Sequence, residues 1–192
     1  DANDQRKGHP AAHNGTPFSG VDYGFLVGQQ YADDGTPIKN SRNGLPLAFT
    51  SDCRLSGAAT DKGIRVMKYH AYGAAGSPQY PKYILFRYGD VVTMKAEAQL
   101  RKGDNAGALA TVNALRAVRG ASALTSLDLN SMLDERGREM YWEGVRRTDL
   151  IRYGKFAEQW QEKTVTEAFR VLFPIPQQAL DSNPNLKQND GY

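Results

Sequence analysis

Acids and arginines alternate through DERGREMYWEGVRRTDLIRYGKF, Asp134 to Phe156, and the first question is what chemistry they could do. Hydrolysis of a glycosidic bond takes two carboxyl groups that face each other across a sugar. Glu135, Glu139, Glu143 and Asp149 are the right residue type, but on one helix they line one side instead of opposing one another. The neighbouring arginines would also depress their pKa values, whereas a general acid needs its pKa raised. An ion-paired scaffold is therefore the reading favoured over a catalytic site. Asp134 with Arg138 and Glu143 with Arg147 are acid-first i,i+4 pairs, and Arg146 and Arg152 each stand three residues from Asp149.

Other chemistries have weaker support. His9 and His13 are four apart, but Pro10 and Asn14-Gly15 oppose a helical metal face, and His70 stands alone. The single cysteine, Cys53, can form no internal disulfide and has no nucleophile signature around it. Gly73-Ala74-Ala75-Gly76 lacks the Lys-Ser/Thr ending of a phosphate loop. No catalytic residue, metal or cofactor is expected. The aromatic residues are more suggestive: Tyr23, Phe25, Tyr31, Tyr72 and Tyr80 lie in a loop-rich first half, where flat rings with polar edges could stack on sugars. Loop tyrosines ordinarily cover the edge of a core, so these rings equally fit a packing role.

The 192 residues, 40% hydrophobic, suffice for one domain of ordinary size. With 24 Lys+Arg against 21 Asp+Glu, interspersed, the net charge of +3 makes no case for nucleic acid. No apolar run approaches the ~20 residues that span a bilayer. Asp1 is not an initiator Met, so the chain is expected to be a processed product or a fragment.

Three segments are expected. Residues 1–81 hold most of the Gly, Pro, Asn and Asp, and read as loops with short extended pieces at Gly24 to Gly28 and Ile64 to Tyr69. Residues 82–156 form a helical core. A first helix runs from about Tyr83 to Gly103; Asp104 caps a second, Asn105 to Arg119, which Gly120 ends. Ala96, Ala98, Ala106, Ala108, Ala110 and Ala114 would permit close contact in this tetratricopeptide-like hairpin. A third, long helix is expected from near Thr125 to Tyr153, with Gly137 and Gly144 on one apolar face against a neighbour. Residues 157–192 form an extended end, in which Asn183, Asn185, Gln188 and Asn189 can bond to backbone.

RYGDVVTMKAEAQLRKGDNAGALATVNALRAVRG (Arg87 to Gly120), the opening stretch, and LFPIPQQALDSNPNLKQNDGY (Leu172 to Tyr192) together resemble the C-terminal part of the SusD/RagB family. NDQRKG and FLVGQQYADDGTPI are similar to upstream segments of that family. The resemblance implies a mainly α, SusD-like fold and a surface lipoprotein of the outer membrane. It implies binding of oligosaccharides or related nutrients without cleavage, and delivery to a SusC-like TonB-dependent transporter. The family's lipidated N-terminal Cys and large N-terminal part do not occur in this sequence, so no ligand-binding residue is carried over from the family. The alternative is a tetratricopeptide-like interaction scaffold that binds a peptide or subunit instead of a glycan.

Overall fold

A computed structural model describes residues 1–13, 16–32, 34–68 and 84–192, with the backbone path alone for those between 9 and 23. The chain divides into two compact units, Asp1–Gly144 and Val145–Tyr192. The boundary falls inside the 82–156 stretch. The described residues are mainly helical with short strands, as the sequence led us to expect.

The first unit begins with a 3-10 turn, Gln5–Lys7, and two antiparallel strands, β1 (Gly8–His13) and β2 (Thr16–Leu26). His9 and His13 thus lie on extended backbone, where i,i+4 residues share no helical face. The register slips on both sides of Pro10, whose nitrogen has no proton for the ladder. Gly24 adopts φ +105° and passes so close to β1 that a Cβ there would lie 2.3 Å from Gly8 Cα. Only glycine fits that crossing. Strands β3 (Gly28–Gln29) and β4 (Ala48–Phe49) form a separate pair, and β5 (Arg65–Met67) completes the first sheet in the order β1-β2-β5. Phe25 is registered opposite Val66, so the two extended pieces read from the sequence are partners.

Helices α1 (Tyr88–Arg101) and α2 (Asn105–Val118) form the expected hairpin. The Asp104 side chain accepts a 2.9 Å hydrogen bond from the Gly107 N–H, and Gly103 and Gly120 take φ +89° and +69° at the two helix ends. Ala96 and Ala108 are fully buried. The other four alanines of the expected contact, Ala98, Ala106, Ala110 and Ala114, are exposed, because each helix turns only one side to its partner.

The third helix departs from expectation at both ends. α3 spans Leu129–Met140 and is capped by Asp128, which exchanges bonds with Ser131 in a capping box. It stops twelve residues in, and a separate helix, α4 (Arg146–Arg152), follows in the second unit. The break passes through Trp142 at φ +64° and Gly144 at φ +78°. Gly137 lies inside α3, but Gly144 is exposed and acts as a turn residue instead of a helix contact. Gly144→Leu is therefore expected to cost about 1–2 kcal/mol through the left-handed backbone, while Gly144→Asn, which tolerates that conformation, recovers most of the loss. Urea titration of both variants tests this. Equal losses would point to crowding instead.

In the second unit Gly154 ends α4 at φ +70°, and Arg152 bonds Asp149 at 2.8 Å as the spacing predicted. A 3-10 turn (Ala168–Val171) and helix α5 (Gln177–Ser182) follow. The end of the chain is pinned by side chains. Gln188 exchanges two bonds with the Ile175 backbone at 2.8 and 2.9 Å, Asn189 donates to the Phe173 carbonyl at 2.7 Å, and the Tyr192 hydroxyl donates to Leu172. The capacity of these residues to satisfy extended backbone is the property read from the sequence.

Candidate functional site

The inner side of α3 carries Met132, Leu133, Glu135, Arg136, Glu139 and Met140, all buried. Its charges therefore face the protein, and their partners come from distant parts of the chain. At the N-terminus, Asp4 holds Arg6 through Nε at 2.8 Å and Nη2 at 2.7 Å and presents it to Glu135, 129 residues away, at 2.6 Å. Arg116 of α2 takes the other oxygen of Glu135 at 2.6 Å, and Arg138 reaches the same oxygen at 3.0 Å. Glu139 receives Arg87 at 2.6 Å and Arg119 at 2.7 Å on one oxygen. Glu143 receives Arg87 at 2.7 Å and also Lys68, whose ammonium donates to the Glu139 carbonyl at 3.0 Å. Arg136 joins α3 to α1 through Asp90 and Thr93, both at 2.8 Å.

Of the helical pairs expected from spacing, Arg152 with Asp149 forms. Arg138 selects Glu135 over Asp134, and Glu143 is taken by Arg87 and Lys68. Arg147 turns instead to the carbonyls of Arg170 and Val171 and lies 4.1 Å over the Phe173 ring. An exposed i,i+4 pair contributes only about 0.3–0.5 kcal/mol, so a buried guanidinium from elsewhere readily displaces it.

This arrangement disfavours acid-base chemistry. Burial opposes the charged form of Glu139, but hydrogen bonds from Arg119 and Arg87 outweigh it and hold the carboxyl down to about 2. Glu143 is likewise lowered, burial being overcome by Arg87 and Lys68. Lys68 is shifted down as well, because burial outweighs its attraction to Glu143. A carboxyl held this low gives a proton to no substrate near neutral pH. Among the described residues no three His, Cys, Asp or Glu side chains cluster so as to hold a metal ion.

Beside the charges stands a small aromatic shelf. Phe25 stacks on Tyr141 with ring centroids 4.7 Å apart, Lys68 lies 4.3 Å over the Tyr141 ring, and the Tyr141 hydroxyl donates to the Arg6 carbonyl at 2.7 Å. Phe25 keeps 41% of its surface exposed. Tyr31 is half-buried, at a bridge to Pro37. Tyr23 is described through its β2 backbone alone, and Tyr72 and Tyr80 lie outside the described residues. Of the five candidates, the structure thus places only the rings of Phe25 and Tyr31. The sequence gives no sign that Tyr141 neighbours Phe25, since 116 residues separate them, and Lys68 and Arg6 join the shelf only through Tyr141.

A family model described as the SusD family matches residues 28–192. The starch-binding protein SusD of Bacteroides thetaiotaomicron is 32% identical over 149 residues, which are 68% of this chain and 26% of that protein. A SusD-like protein of Formosa agariphila is 30% identical over 145 residues, 69% of this chain and 29% of its own length. The chain thus spans less than a third of either relative. Among solved structures, a laminarin-binding SusD-like protein superimposes with a TM-score of 0.58 at 32% identity, covering 69% of this chain and 30% of that one. Surface glycan-binding protein A from Bacteroides uniformis, at 24% identity, shares the fold with a TM-score of 0.58 over 85% of this chain and 36% of its own.

Proposed function

Because this chain belongs to the SusD family, we propose that it serves non-catalytic capture of glycans or related nutrients at the surface of the outer membrane. Delivery to a SusC-like TonB-dependent transporter, and attachment through an N-terminal lipid anchor, complete the reading. The observation that carries it is the match to the family over residues 28–192, with starch- and laminarin-binding relatives. The saturated carboxylates support a binding role over hydrolysis, since Glu135 and Glu139 are each committed to several arginines.

Within this segment, Tyr23, Phe25, Tyr31, Tyr72 and Tyr80 are the proposed ligand contacts. An aromatic ring can cover the C–H face of a sugar while its surroundings bond the hydroxyls. The test is calorimetric titration with starch and laminarin oligosaccharides, with chromatographic analysis of products. Binding without cleavage is expected. Replacing the rings one at a time by Ala should weaken binding by roughly threefold to tenfold at one or more positions, the equivalent of about 0.5–1.5 kcal/mol per aromatic contact. Five variants that all bind like the parent would place the ligand platform outside this segment. Release of shortened products would overturn the non-catalytic reading, and binding to a protein alone would favour the tetratricopeptide-like scaffold.

A further inference from the structure

α3 ends in a turn that its residues do not favour. The Glu143 N–H donates to the Met140 carbonyl at 3.2 Å, Tyr141 takes φ −57° and ψ 145°, and Trp142 takes φ +64°. This is the pattern of a type II turn, whose third position favours Gly or Asn because they enter the left-handed region more readily than other residues. Tryptophan is disfavoured there, and burial does not offset the strain, since 70% of its surface is exposed. The conformation is imposed by the two neighbours. Tyr141 is tied by its hydroxyl to the Arg6 carbonyl at 2.7 Å and by its ring to Phe25, and Glu143 is bonded to Arg87 and Lys68.

Folding alone gives no reason for an indole at this position, because asparagine or glycine would make the same turn with less strain. Backbone strain of this kind clusters where a side chain is presented to a ligand. We propose that Trp142 is a sugar-stacking contact, held out by the turn toward a neutral oligosaccharide. An indole offers a broad apolar face to the C–H face of a sugar, and its N–H can bond a hydroxyl. The charges beside it, Glu143 with Arg87 and Lys68, are already bonded to one another, so they are committed within the protein and do not select an acidic sugar. The inference rests on the glycan-capture reading and adds to it a ring that the five aromatic candidates omit.

The chain has two tryptophans, so Trp160→Phe leaves Trp142 as the sole indole fluorophore. Starch and laminarin oligosaccharides are titrated into this variant, and the one that binds should shift its tryptophan emission to the blue. In calorimetry, Trp142→Asn and Trp142→Ala should each bind that oligosaccharide roughly tenfold more weakly than the parent, the loss expected of one stacked ring. Uronate oligosaccharides should bind the parent more weakly than the neutral ones. In urea, Trp142→Asn should unfold at a midpoint equal to or above the parent's, because asparagine tolerates the turn. Emission unchanged by a sugar that calorimetry shows to bind would overturn the proposal and leave glycan capture standing. So would uronate binding as tight as neutral binding, or a midpoint for Trp142→Asn well below the parent's, which would make the indole a packing residue. Absence of binding to all three glycans would overturn both readings.

Discussion

Glu135→Gln is expected to destabilise the Asp1–Gly144 unit by about 3–5 kcal/mol, the loss typical when one member of a buried ion cluster is neutralised and its partners stay behind. Glu135 is fully buried and holds Arg6 and Arg116 at 2.6 Å and Arg138 at 3.0 Å. Glutamine keeps the shape and an acceptor oxygen, so the change removes charge with little change in volume. Arg6 and Arg116 would remain desolvated, with Asp4 and Asp1 as their nearest other carboxylates. The measurement is urea unfolding followed by circular dichroism. A second variant separates charge from packing: Glu135→Gln combined with Arg116→Met removes both members of one pair and should recover part of the loss. A loss under 1 kcal/mol for the single variant would show that the cluster is solvated and not structural.

Acid should unfold this unit through Glu139. Its carboxyl lies near 2 in the folded protein, below the ordinary value of an unfolded carboxylate, because Arg119 and Arg87 outweigh burial. A depressed folded pKa contributes stability that is fully present above the unfolded value and is lost as pH falls through the folded one. The window therefore runs from about pH 4.5 down to about pH 2, and the loss from this group is roughly 3 kcal/mol. Glu143 is shifted in the same direction, burial being outweighed by Arg87 and Lys68, and Asp4 is lowered chiefly by its bond to Arg6, so the observed fall should exceed that of one group. Urea midpoints measured from pH 7 to pH 2.5 should be level above pH 5 and then drop. Glu139→Gln should start lower and fall less steeply. A midpoint at pH 2.5 equal to that at pH 7 would contradict the assignment.

Features whose causes are local could be read from residue order. The helical hairpin was legible because Asp104 must cap, and Gly103 and Gly120 must stop, helices whose apolar residues repeat at helical spacing. At the C-terminal end the capacity of Gln188 and Asn189 to bond backbone was legible, but not that their partners are Ile175 and Phe173, 13 and 16 residues earlier. Family membership came from long motifs in fixed order, and the match over residues 28–192 agrees. The remaining features depend on packing between distant segments. The periodicity of residues 125–153 continues through Trp142 and Gly144, so it could not reveal that both take positive φ and part α3 from α4. Nor could spacing show that the acids of α3 prefer arginines from the N-terminus and from α2. A neighbour on the same helix offers a few tenths of a kcal/mol in water, whereas a guanidinium brought into a buried site is held by the desolvation that would follow its release. That difference depends on where water is excluded, which is a property of the packed chain and not of any short stretch of it.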